Sequence, residues 1–337
     1  MLTIPGFVDA HCHAFQRALR GRSLGPDFWA WRDEMIALAE SLTVEEIRRE
    51  YAEVYRELRA NGYTAVGEFH YLGPAEARAA AEAAAEAGIA FTCLYACYLR
   101  GGSPRFRQES VAQYLSELEE LRSDGVRVGV APHSVRACPA EALRELGRYA
   151  VEHELPLHVH ADEQPRELDE CVAEYGVRPI DLLAREGCLG ERTTVIHATH
   201  ADGAELDLLR DAGARICVCP STEANLGDGF LPVARVMHRG IGLCIGSDSN
   251  VRIDPLEELR ELEGIGRRQT GTRGVVPVDS LLRFGSVEGA AALGLDAWPD
   301  ATVDLDHPQL RAVGEGAVYE ALVFSCSGDV LRKTSDQ

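Results

Sequence analysis

The sequence predicts an α/β protein built as a (β/α)8 barrel of the TIM type, with a reduced satellite β-structure at the C-terminus. Three observations predict this fold. At 337 residues the chain is long enough for one large barrel or for two ordinary domains. Eight short apolar runs alternate with stretches of helical periodicity. No Gly-x-Gly-x-x-Gly turn follows any of these runs, so a dinucleotide-binding sheet has no support.

The eight apolar runs are predicted to be buried parallel strands, because they combine β-branched residues with nearby Gly or Pro. They are Gly6–His11, Thr64–Phe69, Ala90–Tyr95, Val126–Pro132, Pro156–His160, Thr194–Ala198, Arg215–Pro220 and Gly242–Asp248. Apolar residues three to four apart predict helices between these strands. The clearest helices are Pro74–Ala87, Val111–Ser123, Pro139–Glu154, Gly203–Ala212 and Asp254–Arg268. This alternation favours a closed barrel over an open sheet.

Two regions depart from the alternation. Residues Ala14–Ser41 form a long insertion after the first strand, and they include the aromatic sequence DFWAWR at Asp27–Arg32. The segment after residue 295 lies beyond the eighth unit, and its pieces Ala301–Leu305 and Val318–Phe324 are predicted to be strands of a small satellite sheet. We therefore expect a barrel over residues 1–295 and a remnant of a small β-domain over residues 296–337.

Charge and residue usage narrow the range of functions. Lys and Arg number 34 against 54 Asp and Glu, which gives a formal net charge of −20. Nucleic acids and anionic membranes need a basic face, so we expect neither as a partner. The sequence leaves open whether the protein forms a homodimer. Lys333 is the only lysine, which argues against Schiff-base chemistry and against a carboxylated lysine bridging two metal ions.

Cysteine usage and the N-terminal residues predict a cytoplasmic protein. The ten cysteines are scattered without a Cys-x-x-Cys pair, and several lie in strand-like apolar runs. Buried free thiols in a reducing compartment are the simpler interpretation. The first ten residues show no basic segment followed by an apolar one, and no apolar run approaches transmembrane length.

Ligand-type side chains lie at the carboxyl ends of four of the predicted strands. They are His11 and His13 at the end of the first strand, His160 at the end of the fifth, His197 at the end of the sixth and Asp248 at the end of the eighth. Residues two apart in a strand face the same side, so the two imidazoles of the first strand can bind one metal together. The carboxyl ends of barrel strands meet at one face, where active sites form. Imidazoles with a carboxylate suit Zn²⁺, with Fe²⁺ as the alternative.

Two neighbouring residues are expected outside this ligand set. His158 shares a strand face with His160 but sits one layer deeper, which favours a hydrogen-bonded core histidine. Cys12 alternates away from the histidines on either side of it, so we expect it to be buried behind the site.

The layout of these residues resembles the amidohydrolase superfamily, and the His160-x-x-Glu163 spacing is similar to its deaminase branch. A closer resemblance, to the formimidoylglutamate deiminases, runs from about Pro5 to Gly289. It is carried by the segments HAFQRALRG (13–21), DFWAWR (27–32), GYTAVGEFHY (62–71), APHSVR (131–136), HADEQ (160–164), VIHATH (195–200), CPSTEANLGDG (219–229) and GSDS (246–249). Only ten residues precede His11, where such enzymes carry several dozen residues of β-structure. We therefore expect the N-terminal half of the small β-domain to be absent.

The resemblance implies hydrolysis of N-formimino-L-glutamate to N-formyl-L-glutamate and ammonia, with one bound divalent metal ion. In that family's arrangement Asp248 also accepts a proton from water, Glu163 carries protons to the leaving nitrogen, and His197 hydrogen-bonds the attacking water. The implied metal ligands are His11, His13, His160 and Asp248.

The implied substrate is a small-molecule dianion, and planar, forked arginine side chains suit its two carboxylates. Arg136 after the fourth strand and Arg32 in the insertion match the family's substrate-contacting arginines. Gln16, Tyr71 and His133 match its remaining polar contacts.

Two other functions stay open from the sequence. A deaminase of a nucleobase or another aminated heterocycle would need an aromatic stacking surface in place of two arginines. A barrel without catalytic activity is the second alternative. Glu223 and Asn225, after the seventh strand, are predicted to belong to loop structure, with substrate contact as the minority interpretation.

Overall fold

The computed structural model describes residues 1–23 and 25–332, so that Leu24 in the predicted insertion and the single lysine, Lys333, lie outside the described residues. The strands are β1 (Leu2–Pro5), β2 (Phe7–Cys12), β3 (Tyr63–His70), β4 (Ala90–Cys97), β5 (Val128–Pro132), β6 (Leu157–Ala161), β7 (Thr193–His197), β8 (Arg215–Val218), β9 (Gly242–Ile245), β10 (Asp300–Val303) and β11 (Leu331–Arg332).

The helices alternate with the barrel strands and continue after them. They are α1 (Phe28–Ser41), α2 (Val44–Ala60), α3 (Pro74–Ala87), α4 (Val111–Ser123), α5 (Ala140–Glu152), α6 (Pro165–Tyr175), α7 (Pro179–Arg185), α8 (Gly203–Ala212), α9 (Pro220–Leu226), α10 (Val233–Arg239), α11 (Pro255–Thr270), α12 (Val278–Phe284), α13 (Val287–Ala292) and α14 (Val318–Ser325). A short 3-10 helix, Ala14–Leu19, follows β2 directly.

Strands β2 to β9 form one parallel sheet in chain order, which confirms the predicted (β/α)8 fold. The sheet closes where β9 returns to β2, at the carboxyl ends of the strands. There the His13 amide donates to the Asp248 carbonyl at 2.9 Å, and the Asp248 amide donates to the His11 carbonyl at 2.9 Å. We call this junction, residues 11–13 with residues 246–250, the seam.

Burial explains why these segments form strands and helices as predicted. Every residue of β3 is buried, as a strand covered on both faces by side chains and helices requires. Helix α3 is rich in alanine and begins at Pro74, and Gly88 caps its C-terminal end in the left-handed conformation, with φ of 65°. Helices α3, α4 and α8 have the predicted bounds.

The predicted ends of two strands are corrected. Strand β8 ends at Val218, because Pro220 begins α9 and cannot donate a ladder hydrogen bond. Strand β9 ends at Ile245, three residues before the predicted end at Asp248. Asp248 adopts a positive φ of 46°, which a strand does not allow, so the chain turns here to present its side chain.

The predicted strand Val318–Phe324 is wrong, because these residues form helix α14. Its buried side chains, Leu322 and Val323, are adjacent in sequence. In so short an apolar run, the sequence pattern does not distinguish a strand from a helix. Helix α14 packs on α11, where the Arg260 Nε donates to the Val323 carbonyl at 3.0 Å and the Arg267 guanidinium lies 4.4 Å from the Phe324 ring centre. Tertiary packing therefore decides this element.

The small sheet takes strands from both ends of the chain, in the order β1-β10-β11. Strand β1 pairs antiparallel with β10, from Leu2 opposite Val303 to Pro5 opposite Asp300. The N-terminus thus contributes one strand to this sheet, since four residues pair with the strand that follows the barrel. The absence of the N-terminal half of a small β-domain stays a prediction. A domain division at residue 295 stays a prediction.

Gly6 joins the small sheet to the barrel at a point where a side chain has no room. A Cβ here would lie 2.0 Å from the Thr64 Oγ1 and 2.2 Å from the Pro299 carbonyl oxygen.

Among the residues that the structure describes, no helix is long and apolar enough to span a bilayer.

Candidate metal centre and active-site cavity

The structure brings four of the predicted ligands together at the seam. His11, His13, His160 and Asp248 are buried, and one ligand atom of each lies within 4.8 Å of the others. The Asp248 Oδ1 lies 3.4 Å from the His11 Nε2 and 3.5 Å from the His13 Nε2. The His160 Nε2 lies 3.1 Å from the His11 Nε2. We call these four residues the His–Asp group.

Hydrogen bonds to backbone carbonyls orient two of the imidazoles. The His13 Nδ1 lies 2.9 Å from the Phe69 carbonyl oxygen, and the His160 Nδ1 lies 2.9 Å from the His133 carbonyl oxygen. A carbonyl can only accept, so each Nδ1 carries the proton and each Nε2 presents a lone pair to the centre of the group. This arrangement fits a bound cation.

Burial keeps these imidazoles neutral. It lowers the pKa of His13 to about 3 and holds the pKa of His11 and His160 well below the ordinary value. Neutral imidazole is the form that binds metals, and three such nitrogens with a carboxylate are a donor set typical of Zn²⁺. The chemistry of the group therefore fits one divalent ion.

Three residues that the sequence analysis missed hold the seam in place. The Asn250 Nδ2 donates to the His13 carbonyl at 3.0 Å and to the Asp248 carbonyl at 2.9 Å. The buried Asp9 carboxylate accepts from the Ser247 amide at 2.9 Å and from the Ser247 Oγ at 2.5 Å. Asp9 stands two residues before His11, so the two side chains lie on the same face of the strand. This spacing was the sequence signal that could have placed Asp9 next to the site.

Gly246 lets the two strands of the seam approach each other. An added Cβ would lie 2.7 Å from the His11 carbonyl oxygen, 2.8 Å from the His11 Cβ and 3.1 Å from the Cys219 Sγ. A side chain at this position must therefore displace His11.

His197 is buried beside the His–Asp group, and its Nε2 faces Asp248 and Glu163, two residues that line the cavity. Its Nε2 lies 3.9 Å from the Asp248 Oδ2 and 3.8 Å from the Glu163 Oε1, and its Nδ1 lies 3.2 Å from the Glu223 Oε1. Burial alone would lower the pKa of His197, but the hydrogen bond to Glu223 and the nearby carboxylates raise it to about 10.

The predicted loop placement of Glu223 is wrong. Glu223 lies on helix α9, is buried, and accepts from the Cys219 amide at 2.9 Å while it contacts His197. The helix was missed because its seven residues are too few to show a clear apolar period. Asn225 on the same helix is exposed and lines an adjoining cavity.

Arg136 contacts Glu163 directly. The Arg136 Nη2 donates to the Glu163 Oε2 at 2.6 Å, and the Arg136 Nε lies 3.8 Å from the Glu167 Oε1. Burial alone would lower the pKa of Arg136, but these two carboxylates raise it, so the guanidinium stays charged. The sequence predicted Arg136 in a substrate role only, and this ion pair joins it to the proposed proton-transfer residue as well.

A cavity of about 240 Å³ borders the His–Asp group. On its lining, the Gln16 Nε2 donates to the Tyr71 Oη at 2.9 Å. All five residues predicted to contact substrate line this cavity: Gln16, Arg32, Tyr71, His133 and Arg136.

Aromatic and basic residues form the outer side of the cavity, and the sequence analysis assigned only Arg32 among them to the site. The Arg166 guanidinium lies 4.4 Å from the Trp29 ring centre, so it holds the start of helix α1 against α6. We call the following residues the outer wall: Phe28, Trp29, Trp31, Arg32 and Arg166. Four of them belong to the aromatic sequence DFWAWR, which marked this segment in the sequence. No sequence pattern marked Arg166 as a residue of the site.

Two predictions about neighbouring residues are confirmed. His158 is a buried core histidine whose Nε2 lies 2.8 Å from the Ala292 carbonyl oxygen. Cys12 is buried behind the site, where its Sγ lies 3.6 Å from the Asn250 Oδ1.

The barrel and its His–Asp group define a class of protein, and the chain belongs to the amidohydrolase family, whose model matches residues 2–297. Among its relatives is the formimidoylglutamate deiminase of Pseudomonas aeruginosa, 38% identical over 290 residues, which are 77% of this chain and 63% of that protein. The chain thus spans less than two thirds of that deiminase.

A second kind of relative and two solved structures complete the comparison. The 5-methylthioadenosine/S-adenosylhomocysteine deaminase of Halobacterium salinarum is 30% identical over 99% of this chain and 79% of that protein. An amidohydrolase from Brucella melitensis superposes with a TM-score of 0.87 at 29% identity, covering 98% of this chain and 84% of that one. A zinc-bound adenosine deaminase from Xanthomonas campestris has a TM-score of 0.88 at 22% identity, over 98% of this chain and 77% of that one, which shows the fold alone.

Proposed function

We propose that this protein is a metal-dependent hydrolase that converts N-formimino-L-glutamate and water into N-formyl-L-glutamate and ammonia. The observation that carries the proposal is the placement of Arg136, half-buried and charged, on the same cavity as the His–Asp group. The same cavity therefore holds the groups for metal-dependent hydrolysis and a guanidinium that can bind a substrate carboxylate. The 38% identity to the Pseudomonas deiminase supports the same substrate.

In this proposal the metal-binding residues are His11, His13, His160 and Asp248, and the ion is most consistent with Zn²⁺. When bound, such an ion lowers the pKa of water to about 7 and so supplies a nucleophile at neutral pH. Asp248 accepts a proton from the attacking water through the carboxylate oxygen that faces His197. His197 holds that water by a hydrogen bond.

Glu163 moves the proton that the leaving group needs. Its side chain is 6% exposed and lines the cavity beside His160, so it reaches both the attacking water and the formamidine nitrogen. Protonation of that nitrogen lets ammonia depart when the carbon–nitrogen bond breaks. The formyl carbon keeps the oxygen of the water.

Arg136 recognises a substrate carboxylate, and doing so changes what Glu163 can do. Without substrate, the Glu163 Oε2 is held by Arg136 at 2.6 Å. An incoming carboxylate competes for the same guanidinium and frees Glu163 for proton transfer. Arg32, on the outer wall, binds the second carboxylate, and Gln16, Tyr71 and His133 complete the polar contacts.

Steady-state ammonia release tests the proposal. We expect turnover of N-formimino-L-glutamate and little release from guanine, cytosine or 5-methylthioadenosine. Efficient turnover of one of the heterocycles with none of formiminoglutamate would overturn the substrate assignment. Absence of turnover on every substrate by metal-replete protein would favour a non-catalytic barrel.

Deamination of an aminated heterocycle is the second candidate, and one observation favours it. Phe28, Trp29, Trp31, Tyr71 and Tyr98 line the cavity and offer ring faces on which a heterocycle could stack. The similarity to 5-methylthioadenosine/S-adenosylhomocysteine deaminases supports this candidate too. The ammonia-release comparison separates the two functions directly.

A further inference from the structure

A second set of metal-binding side chains adjoins the His–Asp group. A ring nitrogen of His197, the Sγ of Cys219 and a carboxylate oxygen of Asp248 lie within 4.8 Å of one another, and all three residues are buried. We propose that these residues form a second position for Zn²⁺ or Cd²⁺, which fills after the first and inhibits the enzyme. The inhibition rests on the proposed function, whereas the binding does not.

Asp248 can serve both positions because its two oxygens face different nitrogens. Its Oδ1 lies 3.4 Å from the His11 Nε2 and 3.5 Å from the His13 Nε2, within the first group. Its Oδ2 lies 3.9 Å from the His197 Nε2. In two-metal sites the ions stand about 3.5–4 Å apart, a separation that one shared carboxylate can span.

Glu223 prepares the other two ligands. Its Oε1 lies 3.2 Å from the His197 Nδ1 and accepts from the Cys219 amide at 2.9 Å. Metal-binding histidines almost always donate their second ring N–H to a carboxylate or a carbonyl, and His197 shows this arrangement. The contact assigns Nδ1 to Glu223 and leaves Nε2, which faces Asp248, as the nitrogen that binds the ion, with the proton on Nε2 displaced when the ion binds.

Cys219 makes the position selective for thiophilic ions. Its Sγ lies under the seam, 3.1 Å from the point where a Cβ at Gly246 would stand. Zn²⁺ and Cd²⁺ bind thiolate sulfur, whereas Mg²⁺ and Ca²⁺ prefer oxygen. On ligation the thiol releases its proton to solvent, and no oxidation is involved.

Occupancy of this position removes groups that the proposed reaction uses. The Glu163 Oε1 lies 3.8 Å from the His197 Nε2, so an ion bound to that nitrogen also attracts this carboxylate. Loss of general acid–base catalysis commonly costs 10²–10⁴-fold, so we expect the second ion to slow turnover by about 100-fold.

Metal titration of the full chain tests the proposal without reference to substrate. Metal-free protein should bind two equivalents of Cd²⁺, the second more weakly. With Co²⁺, a sulfur-to-metal absorption band should appear only as the second equivalent binds. Cys219→Ala should keep the first equivalent, lose the band, and weaken the second by at least about 10–100-fold, the loss typical of even a supporting residue.

Cys244→Ala is the matched control, because Cys244 is buried in the same apolar cluster as Cys219 but outside the metal-binding set. It should retain both equivalents, the band and inhibition by excess zinc. Cys219→Ser, which keeps the side-chain volume, should likewise lose the band. Retention of the first equivalent shows that each variant has folded.

Saturation of wild type at one equivalent would overturn the proposal, as would a second equivalent that Cys219→Ala and Cys219→Ser bind with wild-type affinity. In the activity assay, excess Zn²⁺ should inhibit wild type and spare Cys219→Ala. Lack of any activity on formiminoglutamate would instead count against the proposed function and would leave the stoichiometry and the absorption band as independent results.

Discussion

The seam and the outer wall form two sides of one cavity but are built in different ways. At the seam, backbone hydrogen bonds join His11 and His13 to Asp248, and the surrounding polar groups are buried. On the outer wall, Trp29 and Arg32 are half-buried, and Arg166 is exposed. Chemistry that needs fixed geometry is placed on strand ends, while recognition is placed on longer side chains that can adjust.

The first prediction tests the chemical side of this comparison and carries the largest expected effect. Glu163→Gln keeps the shape of the side chain but cannot carry a proton, so kcat should fall about 10²–10⁴-fold. The bound metal should remain, because Glu163 is outside the His–Asp group. Steady-state ammonia release and metal content measure the two effects.

Glu170→Gln is the control for that change, since it removes a carboxylate from the rim of the same cavity. It should leave kcat near the wild-type value. If Glu163→Gln also retains near-full kcat, the proton-transfer role of Glu163 is wrong.

The second prediction breaks the seam without touching a ligand. Gly246→Ala places a Cβ 2.7 Å from the His11 carbonyl oxygen, so His11 must move. We expect metal affinity to fall by at least about 10–100-fold, the usual cost of disturbing a group that orients a ligand. Metal content after dialysis should be one equivalent for wild type and clearly below one for the variant.

Gly190→Ala provides the comparison, because a Cβ at Gly190 meets no described atom within 4 Å. It should retain one equivalent of metal. Equal metal retention by the two variants would show that the close approach at Gly246 does not position His11.

The third prediction concerns the residue that joins the two sides. Arg136→Ala should lower kcat/KM at least about tenfold, because a charge-assisted hydrogen bond is worth about 1.5–3 kcal/mol. Arg136→Lys should restore little, since a point charge does not reproduce the guanidinium fork. Metal content should not change.

A substrate analogue with amidated carboxylates sharpens this result. Wild type should lose most of its advantage on the analogue, and Arg136→Ala should lose little more. If the alanine variant processes formiminoglutamate as well as wild type does, the proposed substrate fails and the heterocycle deaminase becomes the better candidate.

The fourth prediction addresses the outer wall and carries the smallest effect. Arg166→Ala removes the guanidinium that lies 4.4 Å from the Trp29 ring centre. Exposed contacts of this kind are worth about 0.5–1 kcal/mol, so kcat/KM should fall about 2- to 5-fold. A loss as large as that of Arg136→Ala would show that Arg166 itself binds the substrate.

The sequence by itself determined the barrel and the members of the His–Asp group. The barrel follows from short-range regularities, and so does the convergence of the ligand-type side chains: a period of two in strands places His11 and His13 on one face, and parallel strands end at one side of a barrel. The choice of His160 and Asp248 as ligands, with His197 in another role, came from the resemblance to the amidohydrolases.

Only the tertiary structure decided the contacts between segments that are distant in the chain. The pairing of Glu223 with His197, the ion pair of Arg136 with Glu163 and the joining of β1 to β10 depend on how helices and loops pack, which local periodicity does not encode. Helix α14 shows the same limit, because a short apolar run fits a strand or a helix until its packing partner is known.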